Sequence, residues 1–127
     1  MSEGFVPGRH VLEAYGAGGF RFAGMSHVGS ILATPLGVHA VAARDLAELR
    51  VESFAPLLAE LKDKPGSTEL LLVGTGEKMA RLPTPLATRL RAAGLRLEAM
   101  ATGPASRVYN VLMSENRRVA ALLLAAP

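Results

Sequence analysis

The spacing of apolar and polar positions changes character near residue 50. Before that point, short alternating stretches are cut by Gly or Pro. His10 to Tyr15 alternates loosely and stops at Gly16-Ala17-Gly18-Gly19. Phe20-Arg21-Phe22-Ala23 alternates cleanly and meets Gly24. Val28 to Ala33 and Val38 to Val41 read as two more short strands, parted by Thr34-Pro35-Leu36-Gly37. Alternation of period two with Gly and Pro at each junction predicts a meander of antiparallel strands. Pro35 excludes a helix running through this region.

Beyond residue 50 the period becomes helical and then alternates between the two kinds. Phe54, Leu57, Leu58 and Leu61 fall at i, i+3, i+4 and i+7, one apolar helix face. Ser53 is the expected N-cap and Pro56 lies in the first turn. Leu70 to Val73 reads as a buried strand. Thr84-Pro85 starts a second helix, with Thr84 as its cap, Leu86, Leu90 and Ala93 inward and Gly94 as its stop. Leu95 to Met100 alternates as a half-buried strand. Thr102 is the expected cap of a third helix whose apolar stripe is Ala105, Val108 and Leu112. Val119 to Leu124 is the last strand. This α-β-α-β-α-β order favours parallel strands with right-handed crossovers. The expected fold is a single α/β domain: a central mixed β-sheet flanked by helices, with an N-terminal antiparallel β meander. Residues 1–8 read as a flexible segment and 9–127 as the domain.

Composition narrows the chemistry. A chain of 127 residues makes one domain. Its 50% hydrophobic and 20% charged content rules out global disorder. Without Cys or Trp, disulfide scaffolds, Cys-based zinc sites and thiol catalysis fall away. The net charge of +3 comes mostly from Arg scattered among apolar residues, as at Arg89/Arg91/Arg96 and Arg117/Arg118. With few aromatics for stacking, that pattern argues against nucleic-acid binding. The longest apolar run, Val119 to Pro127, is shorter than the roughly 20 residues a membrane-crossing helix needs. With no basic-then-apolar leader and no Cys, the expected location is cytoplasmic.

Two loops carry the best candidate chemistry. Gly74-Thr75-Gly76-Glu77-Lys78 follows one strand, and Ala101-Thr102-Gly103-Pro104 follows another at a helix start. If those strands are parallel, both loops share the carboxyl edge, where α/β sheets form ligand crevices. Backbone N–H groups and a helix N-terminus there can receive an anion. Gly74-Thr75-Gly76 is neither a Walker loop nor a dinucleotide fingerprint. Its plainest reading is a tight turn using Gly for positive φ; a partner-contact loop is a further one. Arg107 and Asn110 share one side of the third helix. Either they line a small polar pocket with the Gly74–Gly76 loop, or Asn110 ties down a neighbouring loop while Tyr109 fills the core edge. The candidate ligand-binding set is Gly74, Thr75, Gly76, Thr102, Arg107 and Asn110. No catalytic set emerges. His10, His27 and His39 lack metal-ligand spacing, and Gly24 to Val28 lacks the second Gly of a nucleophile elbow. Glu48, Glu52, Glu60 and Asp63 read as solvated charges.

Two motifs carry a family resemblance. Val73-Gly74-Thr75-Gly76-Glu77 is the first. Met100, Thr102, Ala105, Arg107, Tyr109-Asn110, Leu112, Glu115 and Arg117 form the second. Together they resemble the Mth-like domain family, to which the mitochondrial complex I assembly factor 3 and an adipogenesis-associated protein belong. The resemblance spans about Val11 to Pro127. It implies a compact α/β fold with a mixed sheet, no cofactor, and action through protein partners in assembly rather than catalysis. Respiratory complex I and membrane protein biogenesis are the settings it suggests. The alternative is a small-molecule or anion binder, or an enzyme, using the carboxyl-edge crevice. Relatives often carry Trp near Val41–Ala43, Cys near Ser106, Thr at Val108 and Asp at Ala101. This chain lacks all four, so no activity resting on them is inherited. The sequence leaves the oligomeric state open.

Overall fold

A computed structural model describes residues 4–127. A six-stranded sheet runs in the order β1-β6-β5-β9-β7-β8, and β2-β3-β4 form a separate three-stranded sheet. The strands are β1 (Phe5–Pro7), β2 (Leu12–Gly16), β3 (Gly19–Phe22), β4 (Met25–Val28), β5 (Ser30–Thr34), β6 (Gly37–Val41), β7 (Leu70–Gly74), β8 (Arg96–Met100) and β9 (Val119–Leu123). The helices are α1 (Ala55–Asp63), α2 (Thr84–Ala92) and α3 (Thr102–Ser114). As expected, β7 pairs parallel with both β8 and β9, while β5 pairs antiparallel with β6 and β9. The mixed sheet flanked by helices and the antiparallel N-terminal region are therefore as the sequence predicts.

The centre of the large sheet is apolar on both faces. Every residue of β9 is buried, which explains its continuous Val-Ala-Ala-Leu-Leu run. Alternate residues feed two cores. Ala120 and Leu122 join Phe54, Leu57, Leu71, Val73, Leu86 and Leu90 beneath α1 and α2. Val119, Ala121 and Leu123 join Leu12, Phe20, Phe22, Leu72, Ala105 and Tyr109 between α3 and the small sheet. Burying each such Leu or Phe contributes roughly 1.5–3 kcal/mol, so β9 is the strand on which both layers depend.

Several local expectations change. The predicted meander divides between two sheets. Gly29, at φ +100°, breaks the expected Val28–Ala33 strand and puts Val28 at the end of β4. Within the expected flexible segment 1–8, residues 1–3 lie outside the described residues, and Phe5–Pro7 pair with β6 as an edge strand. Ser53 does not cap α1. Its hydroxyl accepts the Arg50 N–H at 3.1 Å inside a 3-10 turn, Val51–Phe54, and α1 begins at Ala55. Thr84 and Thr102 are the first helical residues rather than caps, and Pro83 and Ala101 at the N-cap positions make no side-chain cap bond.

Candidate functional site

The two predicted loops do meet at the carboxyl edge, because β7 and β8 are parallel neighbours. They meet by bonding to each other. Thr75 N donates to Met100 O at 2.8 Å, extending the ladder beyond the strands. Thr102 N donates to Gly76 O at 2.8 Å, and Gly76 N donates to the Thr102 hydroxyl at 2.9 Å. That hydroxyl in turn donates to Leu124 O at 2.7 Å. Thr102 is fully buried and links the ends of β7 and β9 to the start of α3. The Thr75 hydroxyl is engaged as well, donating toward Lys78 O at 2.7 Å and accepting Ala80 N–H at 3.1 Å.

Close packing explains the glycines. A Cβ on Gly74 would lie 2.8 Å from Leu123 Cδ2 and 2.9 Å from the Thr102 hydroxyl oxygen. Gly76 sits at φ +101°, a conformation that favours Gly. A Cβ on Gly103 would lie 2.5 Å from the Tyr15 hydroxyl, so Tyr15 covers the first turn of α3. Donors expected to face an anion are thus shared among Gly76, Thr102 and neighbouring carbonyls.

Arg107 and Asn110 engage β2. Asn110 Oδ1 accepts Leu12 N–H at 2.8 Å, and its Nδ2 donates to Leu12 O at 2.8 Å. The amide completes a backbone pair where β2 has a register irregularity between Leu12 and Ala14. Arg107 Nη1 donates to the Tyr15 hydroxyl at 3.1 Å. Beside them Tyr109 is buried, and burial pushes its phenol pKa up, with Arg9 partly opposing. The structure thus brings Gly74, Thr75, Gly76 and Thr102 together, and places Arg107 and Asn110 on the α3–β2 seam.

A second polar group lies at the opposite edge of the sheet, around Glu60, which departs from the solvated charge expected of it. The Thr34 hydroxyl donates to Glu60 Oε2 at 2.5 Å, while Oε1 is buried without a partner. Burial raises the Glu60 pKa, opposed by the hydrogen bond from Thr34. The Ser67 hydroxyl is also buried and unpartnered. A cavity of about 420 Å³ lies here, its lining including Leu36, Glu60, Lys64, Ser67 and Arg118. The available signal was position: Glu60 is three residues after Leu57 and beside Leu61, on the border of the apolar stripe. Among the described residues, no group of three or more His, Asp or Glu is placed to hold a metal ion.

Over residues 12–124 the chain matches the model of a family described as protein of unknown function (DUF498/DUF598). It superposes on the crystal structure of an outer membrane protein from Bartonella henselae with TM-score 0.87 and 41% identity, covering 95% of this chain and 98% of that one. The solution structure of a Mth938-like domain from Bordetella pertussis gives TM-score 0.77 and 28% identity, covering 91% and 85%. NADH dehydrogenase [ubiquinone] 1 alpha subcomplex assembly factor 3 of Xenopus tropicalis is 29% identical over 113 residues. That alignment covers 89% of this chain and 60% of the assembly factor. The Bartonella relative overturns the expected cytoplasmic location. The reasoning failed because lacking Cys and a basic-then-apolar leader does not fix where a protein resides. No helix among the described residues is long and apolar enough to cross one.

Proposed function

The chain belongs to the DUF498/DUF598 family of Mth938-like domains, relatives of complex I assembly factor 3, and on that premise we propose that it is a binding or assembly module acting on protein partners at a membrane. The observation that carries this reading is the closed carboxyl edge. There the Gly76 amide, the Thr102 hydroxyl and the Leu124 carbonyl satisfy one another, so the edge serves the fold. The Xenopus relative's role in assembly and the Bartonella relative's membrane setting support the rest.

The surface offered to a partner is the outer face of the small sheet. Gly16 and Gly19 leave a trough of about 420 Å³ there, bordered by Arg21, Ser26 and Val28. Val28 is 77% exposed and opposite Gly19, so a large apolar group faces water there, on the same face as the Arg21 guanidinium. Such a surface fits a partner segment with an apolar anchor and a neighbouring carboxylate. Respiratory complex I is the assembly target to test first. In a host that builds complex I, deleting the gene is expected to lower the assembled complex on native gels. The wild-type gene restores it and Val28→Glu does not. Full assembly in the deletion strain contradicts the proposal.

A further inference from the structure

The outer edge of β8 is the open end of the six-stranded sheet, since among the described residues β8 pairs only with β7. Two hydrogen bonds fix which backbone groups face outward. Arg96 N donates to Glu69 O at 2.9 Å, and Met100 O accepts Thr75 N–H at 2.8 Å. Backbone groups alternate sides along a strand, so Arg96, Glu98 and Met100 turn theirs toward β7. Leu97 and Ala99 present an N–H and a C=O each to the outside. Unpaired edge groups of this kind are a template for another strand.

Side chains on this edge are sorted by face. Leu97 pairs in register with Leu71 and packs on the α1/α2 core. Glu98 pairs with Leu72, whose side chain joins the α3-side core, so Arg96 and Glu98 share that opposite face. Both are exposed, and neither forms an ion pair among the described residues. On the other face Leu97 and Ala99 help line a cavity of about 290 Å³ with Met79, Leu82, Ala87 and Arg91.

We propose that β8 pairs antiparallel with β8 of a second copy of this chain, about a two-fold axis through Leu97. The register follows from charge. With Leu97 opposite Leu97, Arg96 of each chain faces Glu98 of the other, giving two opposite-charge pairs by symmetry. An axis through Glu98 sets two carboxylates face to face. An axis through Ala99 sets Glu98 against Met100. Only the Leu97 register is self-complementary among the three. It also agrees with the backbone. The two Leu97 residues exchange both outward N–H···O bonds, and Arg96 faces Glu98 at a non-hydrogen-bonded position, where side chains approach most closely. The cavity beside Leu97 is then covered by its symmetry mate, with Arg81 and Arg91, which also line it, left at the rim. The result is a continuous twelve-stranded sheet, and the small-sheet trough proposed above for partners plays no part in it.

The pairing has a charge-swap test. Sedimentation equilibrium of the full chain is run from about 1 μM to 1 mM, the range in which a short edge-to-edge contact associates. The wild type is expected to dimerise. Arg96→Glu and Glu98→Arg each replace two attractions with two repulsions and are expected to weaken dimerisation about tenfold or more. Mixing the two variants restores it as a heterodimer, since position 96 of one then complements position 98 of the other in both pairs. The double variant R96E/E98R restores the homodimer. Circular dichroism of each variant confirms that it folds, and the mixture supplies an internal control against misfolding. A monomer throughout the range overturns the proposal. So does a dimer indifferent to the swaps, which places contact on another face, or single variants whose mixture stays monomeric.

Discussion

Thr102→Val isolates the hydrogen bonds that close the carboxyl edge. Val matches Thr in shape, so packing against Gly74 and Leu123 is kept while the hydroxyl is lost. The hydroxyl donates to Leu124 O at 2.7 Å and accepts Gly76 N–H at 2.9 Å, and both bonds disappear. Leu124 is fully buried, so its carbonyl is left without a partner in an apolar setting. A net hydrogen bond is worth about 0.5–1.5 kcal/mol and an orphaned buried polar group costs about 1–3 kcal/mol. The expected loss is therefore about 2–4 kcal/mol. Thr102→Ser keeps the hydroxyl and deletes one methyl, costing about 1 kcal/mol. Urea unfolding of the three proteins measures both differences, with an unchanged slope confirming two-state behaviour. A loss for Thr102→Val equal to or below that for Thr102→Ser would refute the staple and reopen the edge as a site.

Other substitutions probe the remaining structure. Asn110→Ala removes both 2.8 Å bonds to the Leu12 backbone and should cost about 2–3 kcal/mol in the same urea assay. Gly74→Ala should cost about 1–3 kcal/mol by overpacking, as its Cβ lies 2.8 Å from Leu123 Cδ2, visible as a lower melting temperature. Glu60 binds its proton more tightly folded than unfolded. Its contribution is therefore complete below the ordinary carboxylate pKa of about 4.3 and is lost as pH rises through its raised folded value. Glu60→Gln should flatten that fall, measured as unfolding free energy against pH; a slope identical to wild type would assign it to other groups.

Much of the fold is legible because its signals are local. The switch from period two to period 3.6 near residue 50 marks the change from hairpins to crossovers. Gly94, at φ +92°, stops α2 as its place in the sequence implies. What escaped depends on distant partners. Three-residue β1 has too little pattern to announce itself and exists because β6 pairs with it. Thr102 looks like a cap from its neighbours, yet its hydroxyl bonds a carbonyl 22 residues away. Asn110 ties down a neighbouring segment, one of its two expected roles, but its partner lies 98 residues back, beyond any local rule. Glu60 reads as solvated from the sequence because burial of a helix-border carboxylate depends on the β5–β6 turn folding over it.

The central claim, action through protein partners, is tested most directly inside cells. A photo-crosslinking amino acid placed at Val28, beside the trough of the small sheet, reads out what touches that face. Adducts to complex I subunits or their assembly intermediates, absent when the probe is moved to exposed Arg44, are the predicted result. Equal labelling at both positions, or no adduct at Val28 while the protein is folded and expressed, would contradict it.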